Sequence, residues 1–337
     1  MQKLKSEKHV HLTESVVRKL AQNRITTILE FLHEDSDKIS NLTKLSLPQV
    51  LEIRSDILNK YSAPIVNGST LFNQFSKKKV LSTGIVSLDD ALDNGLPLGF
   101  ITEICGLSDS GKTQLCYQVA INCVINAENT VLYINTKGDF SAVRIQKILE
   151  GMGLSHKDMA LIMYKIRVVF IWTMEELIEL LQKIKNKTIV IQNLSMIILD
   201  SLPCLMFQHL GDSNKTGLAY LNMMVNYSRY ICDTFNIAFV CVNILTRWIE
   251  HDVSDLEDEE ETVSISKEVY LERRNRCLGK YWQHIPVTVV ILEKGQILMK
   301  PNGNNSQVIS ATVVKRNNLE CYHSFTIVIN DLGVTMQ

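Results

Sequence analysis

Ile101-Thr102-Glu103-Ile104-Cys105-Gly106-Leu107-Ser108-Asp109-Ser110-Gly111-Lys112-Thr113 is the stretch that decides the fold. Its first five residues are mostly apolar and predict a buried strand. Gly106–Thr113 fits G-x-x-x-x-G-K-[ST], the phosphate-binding loop. The glycines let backbone N–H groups turn inward around a phosphate, with Leu107, Ser108, Asp109 and Ser110 forming the centre of the loop. Lys112 is placed for the β/γ-phosphates, and the Thr113 hydroxyl for Mg²⁺. Leu115, Val119, Ala120, Cys123 and Val124 predict an apolar helix directly after it, whose positive end faces the anion. The expected ligands are therefore ATP and Mg²⁺.

Outward from the loop, strands and helices alternate. Leu88 and Leu92 mark a helix before it. Val131–Asn135 predicts a short buried strand, and Ser141–Leu149 a helix capped by Ser141. Arg167–Trp172 predicts a third strand, Met174–Lys185 an amphipathic helix and Met196–Asp200 a fourth strand. A long helix over Gly217–Phe235 leads to a fifth strand at Ile237–Asn243. Thr188–Ile191 is extended but has no assigned place. Alternation of this kind implies a doubly wound α/β fold with a mainly parallel sheet. After residue 285 the pattern turns strand-rich, at Val287–Leu292, Gln296–Met299, Val308–Val314 and Ser324–Ile329, so the sheet is expected to end in antiparallel strands.

Ahead of this core, Leu12, Val16, Val17, Leu20, Ile25, Ile28, Leu29 and Leu32 recur at helical spacing, with an N-cap at Thr13. A second helical pattern runs from Ser40 to Asn59, with a start at Leu47-Pro48. The expected organisation is a helical domain at 1–60, a linker at 61–80 containing Pro64, Asn67-Gly68 and Lys77-Lys78-Lys79, and the ATPase core at 81–337. Asp252, Asp255, Glu257, Asp258, Glu259, Glu260 and Glu261 crowd one short segment, which reads as a flexible loop.

The chain of 337 residues has a formal net charge of −1, so no global basic signature marks it for nucleic acid. None of its eight cysteines forms C-x-x-C, and several sit in apolar runs, as buried thiols of a reducing compartment do. The charged start carries no apolar signal segment, and no apolar run reaches the ~18 residues of a membrane span.

Met196-Ile197-Ile198-Leu199-Asp200 is an apolar run ending in a carboxylate, which at the end of a core strand can hold Mg²⁺ through water. Asn243, at the end of the fifth strand, is a candidate γ-phosphate sensor or a plain strand cap. A hydrolytic site of this layout also needs a carboxylate after the second strand to orient water. The chain there reads Asn135-Thr136-Lys137-Gly138-Asp139. Lys137 is a cation, and Asp139, the nearest carboxylate, stands two residues further on.

These residues carry a resemblance. His11-Leu12-Thr13-Glu14, Pro64–Gly68, Leu81-Ser82-Thr83-Gly84 with Leu88-Asp89, Gly99–Ile104, Gly111–Gln114, Val131–Tyr133 and Leu278-Gly279-Lys280-Tyr281-Trp282 resemble the RecA-like eukaryotic strand-exchange recombinases, most of all their D-paralogue branch. The resemblance covers about residues 10–295 and leaves the last forty unassigned. It implies that Gly106–Thr113 is the Walker A loop and Asp200 the Walker B aspartate. It puts Lys137 where active members carry the catalytic glutamate, so hydrolysis is expected to be slow. Residues 247–276 correspond to the second DNA-facing loop, in which Lys267, Arg273, Arg274 and Arg276 are candidates for a DNA backbone. The resemblance also implies a nuclear role in homologous-recombination repair of double-strand breaks and stalled forks. The implied partners are single-stranded or branched DNA, the C paralogue through the ATPase core and the smaller X paralogue through the N-terminal domain. Two alternatives stand beside it: a DNA-stimulated ATPase that remodels recombinase filaments, and a pseudo-ATPase scaffold.

Overall fold

The computed structural model describes residues 3–5, 9–61, 67–70, 72, 79–125, 128–209, 215–250, 271–299 and 305–336, with the backbone alone at 248–250, 271–273, 297–299, 305 and 336. The chain divides into two compact units, residues 1–77 and 78–337.

The first unit is helical: α1 (Glu14–Gln22), α2 (Ile28–His33), α3 (Ser36–Thr43) and α4 (Leu47–Tyr61). The start signals act as expected. The Thr13 hydroxyl accepts from Val16 N–H, and Thr27 and Glu30 form a reciprocal capping box. Each long helical pattern of the sequence is in fact two helices. The first breaks after Asn23, where Arg24 takes φ 63°, and the second after Thr43, where Lys44 takes φ 62° as a left-handed cap. The breaks turn the short helices onto one core of Leu12, Leu20, Phe31, Ile39, Val50 and Ile53, while Leu29 faces solvent. Arg54 closes the unit by donating to the Phe31 and Glu34 carbonyls and to Ser36 Oγ. Residues 1–77 expressed alone are expected to give a helical far-UV spectrum and a cooperative melt. Replacing fully buried Phe31 by alanine should remove that melt, since such truncations cost ~3–5 kcal/mol and a unit this small has little in reserve. A random-coil spectrum from the parent fragment would refute the separate unit.

The second unit contains, in order, β1 (Val80–Leu81), α5 (Val86–Ala91), β2 (Leu96–Pro97), β3 (Ile101–Gly106), α6 (Lys112–Ile125), β4 (Thr130–Asn135), α7 (Ala142–Gly151), α8 (His156–Lys165) and β5 (Ile166–Phe170). There follow α9 (Met174–Lys185), β6 (Leu194–Asp200), α10 (Leu202–Met206), α11 (Lys215–Phe235), β7 (Ala238–Val242), β8 (Leu245–Glu250), β9 (Leu271–Arg276) and α12 (Gly279–Gln283). The chain ends in β10 (Thr288–Met299), β11 (Asn305–Arg316), β12 (Leu319–Asn330) and β13 (Gly333–Met336). One nine-stranded sheet runs β13-β12-β11-β10-β3-β7-β6-β4-β5. It is parallel from β10 to β5 and antiparallel from β10 to β13. Apolar clusters cover both faces, which is why β3, β6 and β7 read as near-continuous apolar runs.

Several local expectations shift. The third strand ends at Phe170, and Ile171 and Trp172 lead into the Thr173 capping box of α9. Residues 188–191 belong to the turn that returns the chain to β6. The strands expected at Val287–Leu292 and Gln296–Met299 are one strand, with a register shift between Lys294 and Ile297. The last forty residues supply β11–β13. The described residues of the segment 247–276 form a ribbon, in which β8 and β9 pair from Leu245↔Arg276 to Glu250↔Leu271. Thr246, Trp248 and Ile249 are strand-favouring residues, so the ribbon has a local cause. Most of the acidic segment and Lys267 lie outside the described residues, as do Pro64–Val66 of the linker.

Among the described residues no helix is long and apolar enough to cross a membrane. All eight cysteines are free thiols, six of them buried.

Candidate nucleotide site

The site lies at the carboxyl edge of the parallel strands, where open α/β sheets gather their ligand-binding loops. β3 ends at Gly106, and β4 and β6 end level with one another, Asn135 opposite Asp200. The loop 106–111 then turns into α6. Gly106 cannot be replaced, because a Cβ there would stand 2.4 Å from the Leu292 carbonyl oxygen and 2.4 Å from Ser110 Oγ. Gly111 takes φ +84° and faces Ile329. Inside the loop Lys112 Nζ donates to the Gly106 carbonyl at 2.9 Å, the Leu107 carbonyl at 2.5 Å and Ser110 Oγ at 3.3 Å. The lysine therefore shapes the loop that it serves.

Asp200, 1% exposed, is the centre of the site. Its Oδ2 accepts from Thr113 Oγ1 at 2.7 Å and from the Tyr133 hydroxyl at 2.9 Å. Its Oδ1 accepts no aligned hydrogen bond, but Lys137 Nζ faces it at 3.0 Å. The same ammonium lies 3.5 Å from Asp139 Oδ2 and 3.5 Å from Thr113 Oγ1. The turn carrying Lys137 is tightly held. Asn135 Oδ1 accepts from the backbone N–H of both Lys137 and Gly138 at 2.9 Å. Thr136 Oγ1 bonds both the N–H and the carbonyl of Ser201, at 2.7 and 2.8 Å.

The charges reinforce one another. Burial, the largest single influence, acts to lower the Lys137 pKa, but the Asp200 carboxylate and, less strongly, Asp139 together hold the ammonium above its ordinary value. Burial, with a further push from the like charge of Lys137, lowers Lys112. Burial and then Asp200 push the Tyr133 phenol well up, so it remains a donor. Lys112, Lys137 and the N-terminus of α6 thus present positive potential to one cleft of about 650 Å³, lined also by Ser108, Gln114, Cys204 and Gln307. A polyanionic ligand fits that charge. Thr113 and Asp200 offer an oxygen pair of the kind a hard cation takes, but the Lys137 ammonium already stands 3.0 Å from Asp200 Oδ1.

The structure thus brings together Gly106–Thr113, Asp200, Lys137 and Asp139. It does not bring Asn243 to the cleft. That side chain is fully buried and donates to Glu103 Oε1 at 2.8 Å and to the Cys277 carbonyl at 3.1 Å, while its oxygen accepts from Ile244 N–H. Nor does it leave the basic candidates open. Arg276 turns inward onto the buried Glu103 carboxylate at 2.9 Å, and Arg274 pairs with Glu293 at 2.7 Å. Lys267 and the Arg273 side chain lie outside the described residues. Two contributors escaped the sequence. Tyr133 read only as part of an apolar strand, its hydroxyl being the one available hint. Gln307, which donates to the Asp109 carbonyl at 3.2 Å, arrives from the antiparallel extension and carried no signal at all.

Residues 76–261 match the family model described as Rad51. The chain is 28% identical over 289 residues to the mouse DNA repair protein RAD51 homolog 4, covering 84% of this chain and 82% of that protein. It is 24% identical to the human DNA repair protein RAD51 homolog 2, covering 99% of this chain and 89% of that one. Among solved structures, the crystal structure of the RadB recombinase superposes with a TM-score of 0.56 at 20% identity, over 77% of this chain and all of that one, a likeness of fold.

Proposed function

Because the chain belongs to the Rad51 family, whose matched members are DNA repair and recombination proteins, we propose that it is an ATP-binding recombinase-paralogue subunit that hydrolyses ATP slowly. Its place is the nucleus, in homologous-recombination repair of double-strand breaks and stalled forks. Nucleotide binding supports its assembly with other paralogues, a C-type partner at the ATPase core and the smaller X-type partner at the helical unit, and with single-stranded or branched DNA. The observation that carries the reading is the constellation of Lys112, Thr113, Asp200 and Lys137. Three of the four are the parts of a phosphate-and-metal site, and the fourth replaces the water-activating carboxylate with a cation.

The chemistry of the residues follows from their hydrogen-bonding capacity. Lys112 can exchange its two loop carbonyls for phosphate oxygens. The N–H groups at the start of α6 face the same anion. Any Mg²⁺ arriving with the nucleotide would meet Thr113 and Asp200 and add its charge to that of the two lysines. Lys137 donates only, so no group at that position takes a proton from water.

The test is a direct titration of purified chain with ATP. Lys112→Ala should weaken binding by about tenfold or more, since a charged hydrogen bond of this kind contributes ~1.5–3 kcal/mol. An unchanged affinity would remove the nucleotide-site reading.

A further inference from the structure

We propose that the Lys137 ammonium is a cation built into the nucleotide site, standing in for the divalent ion, so that this chain binds a nucleoside triphosphate almost independently of Mg²⁺. The inference rests on the nucleotide reading above and adds which cation the site uses.

Three oxygens surround Lys137 Nζ: Asp200 Oδ1 at 3.0 Å, Thr113 Oγ1 at 3.5 Å and Asp139 Oδ2 at 3.5 Å. An ammonium carries three N–H donors, so its capacity matches that set. The first two oxygens are the ones a Mg²⁺ would use. That ion demands close octahedral oxygen ligation at ~2.0–2.1 Å, and the ammonium occupies the approach to Asp200 Oδ1. A lysine and a divalent ion on one buried carboxylate repel each other, whereas the lysine alone satisfies it. The position is preorganised as well. The Asn135 turn fixes the backbone of Lys137 and Gly138, and Thr136 locks that turn to Ser201 beside Asp200. The Trp172 ring covers Gly138 closely, where an added Cβ would stand 2.9 Å from it. Lys137 itself is 29% exposed, open enough on the cleft side for an incoming anion to reach its charge. Lys112 and Lys137 then offer a triphosphate two fixed positive charges before any metal arrives.

The experiment titrates the full chain with a fluorescent ATP analogue in excess MgCl₂ and in excess EDTA, and follows Mn²⁺ binding to the nucleotide-loaded chain by electron paramagnetic resonance. The wild-type dissociation constant should change by less than about threefold between the two buffers. Lys137→Met should lose about tenfold or more in EDTA, and excess Mg²⁺ should recover most of that loss. Mn²⁺ should bind the loaded wild type weakly and the loaded variant well. A wild type that binds in Mg²⁺ and loses its affinity in EDTA would overturn the built-in cation and leave the nucleotide reading intact. Binding in neither buffer would overturn both. A variant that matches wild type in EDTA would assign the whole effect to Lys112 and also overturn the proposal. Should the variant fail to fold, tight Mn²⁺ binding by the wild type would overturn it on its own.

Discussion

Exchanging Lys137 for glutamate is expected to raise single-turnover ATP hydrolysis by about 10²-fold, the low end of what a water-positioning carboxylate contributes. The attacking water needs an acceptor that orients it and spreads charge in the transition state. Lys137 cannot be that acceptor. Its ammonium stands 3.0 Å from Asp200 Oδ1, and that carboxylate together with Asp139 keeps it protonated against the opposing pull of burial. Glutamate at this position would supply an acceptor and free the Asp200 oxygen. Asp139 is the competitor, but it is half exposed and its Oδ2 lies beside the same ammonium. Asp139→Asn should therefore leave the low rate unchanged. Measuring affinity alongside rate separates chemistry from binding. If Asp139→Asn abolishes turnover while Lys137→Glu leaves it where it was, Asp139 is the base and Lys137 a bystander.

Arg276→Ala is expected to destabilise the core unit by about 3–5 kcal/mol, the cost of stranding a buried charge. Glu103 is fully buried in β3, the strand that ends in the phosphate loop. Arg276 Nη1 reaches its Oε2 at 2.9 Å and Asn243 Nδ2 its Oε1 at 2.8 Å. This triad ties the base of the β8–β9 ribbon and the end of β7 to that strand. Burial pushes the Glu103 carboxyl above the usual carboxylate range, against the pull of Arg276 and Asn243. The folded state therefore binds more protons than the unfolded state between the ordinary and the raised pKa. Its contribution to stability is present below the ordinary value and is lost as pH rises through the folded one. Without Arg276 the carboxyl rises further, so the deficit of the variant should shrink on acidification. Glu103→Gln in the same chain should recover part of it. Denaturant midpoints at neutral and mildly acidic pH check this. An equal, sub-kcal/mol deficit at both would mean that the pair is screened. Normal stability with weakened DNA binding would return Arg276 to the role that its family position suggests.

Gly106–Thr113 and the strand before it follow from local chemistry: a tight glycine turn, a lysine and a hydroxyl at fixed offsets. The Thr83–Asp89 piece is local too. Asp89 accepts from Ser82 and from both the N–H and the hydroxyl of Thr83, so its spacing is a turn written in hydrogen bonds.

Sequence alone determined the alternation of buried strands and helices, the tight glycine loop at 106–111, the carboxylate closing β6 and the cation at Lys137 where the resemblance expects a glutamate. Each is set by spacing within a few residues, where backbone geometry leaves little freedom. Tertiary structure decided what spacing cannot express. A basic run after the acidic segment looks open in one dimension, yet Arg276 folds inward onto the carboxylate of Glu103, buried in a strand 173 residues earlier. Asn243 ends its strand as a sensor would, yet the same carboxylate draws its amide away from the cleft. Tyr133 and Gln307 join the site only because strands distant in sequence end side by side. Lys137 reads as a missing base from its place in the chain. Only the packing of β4 against β6 puts its charge on the Asp200 carboxylate.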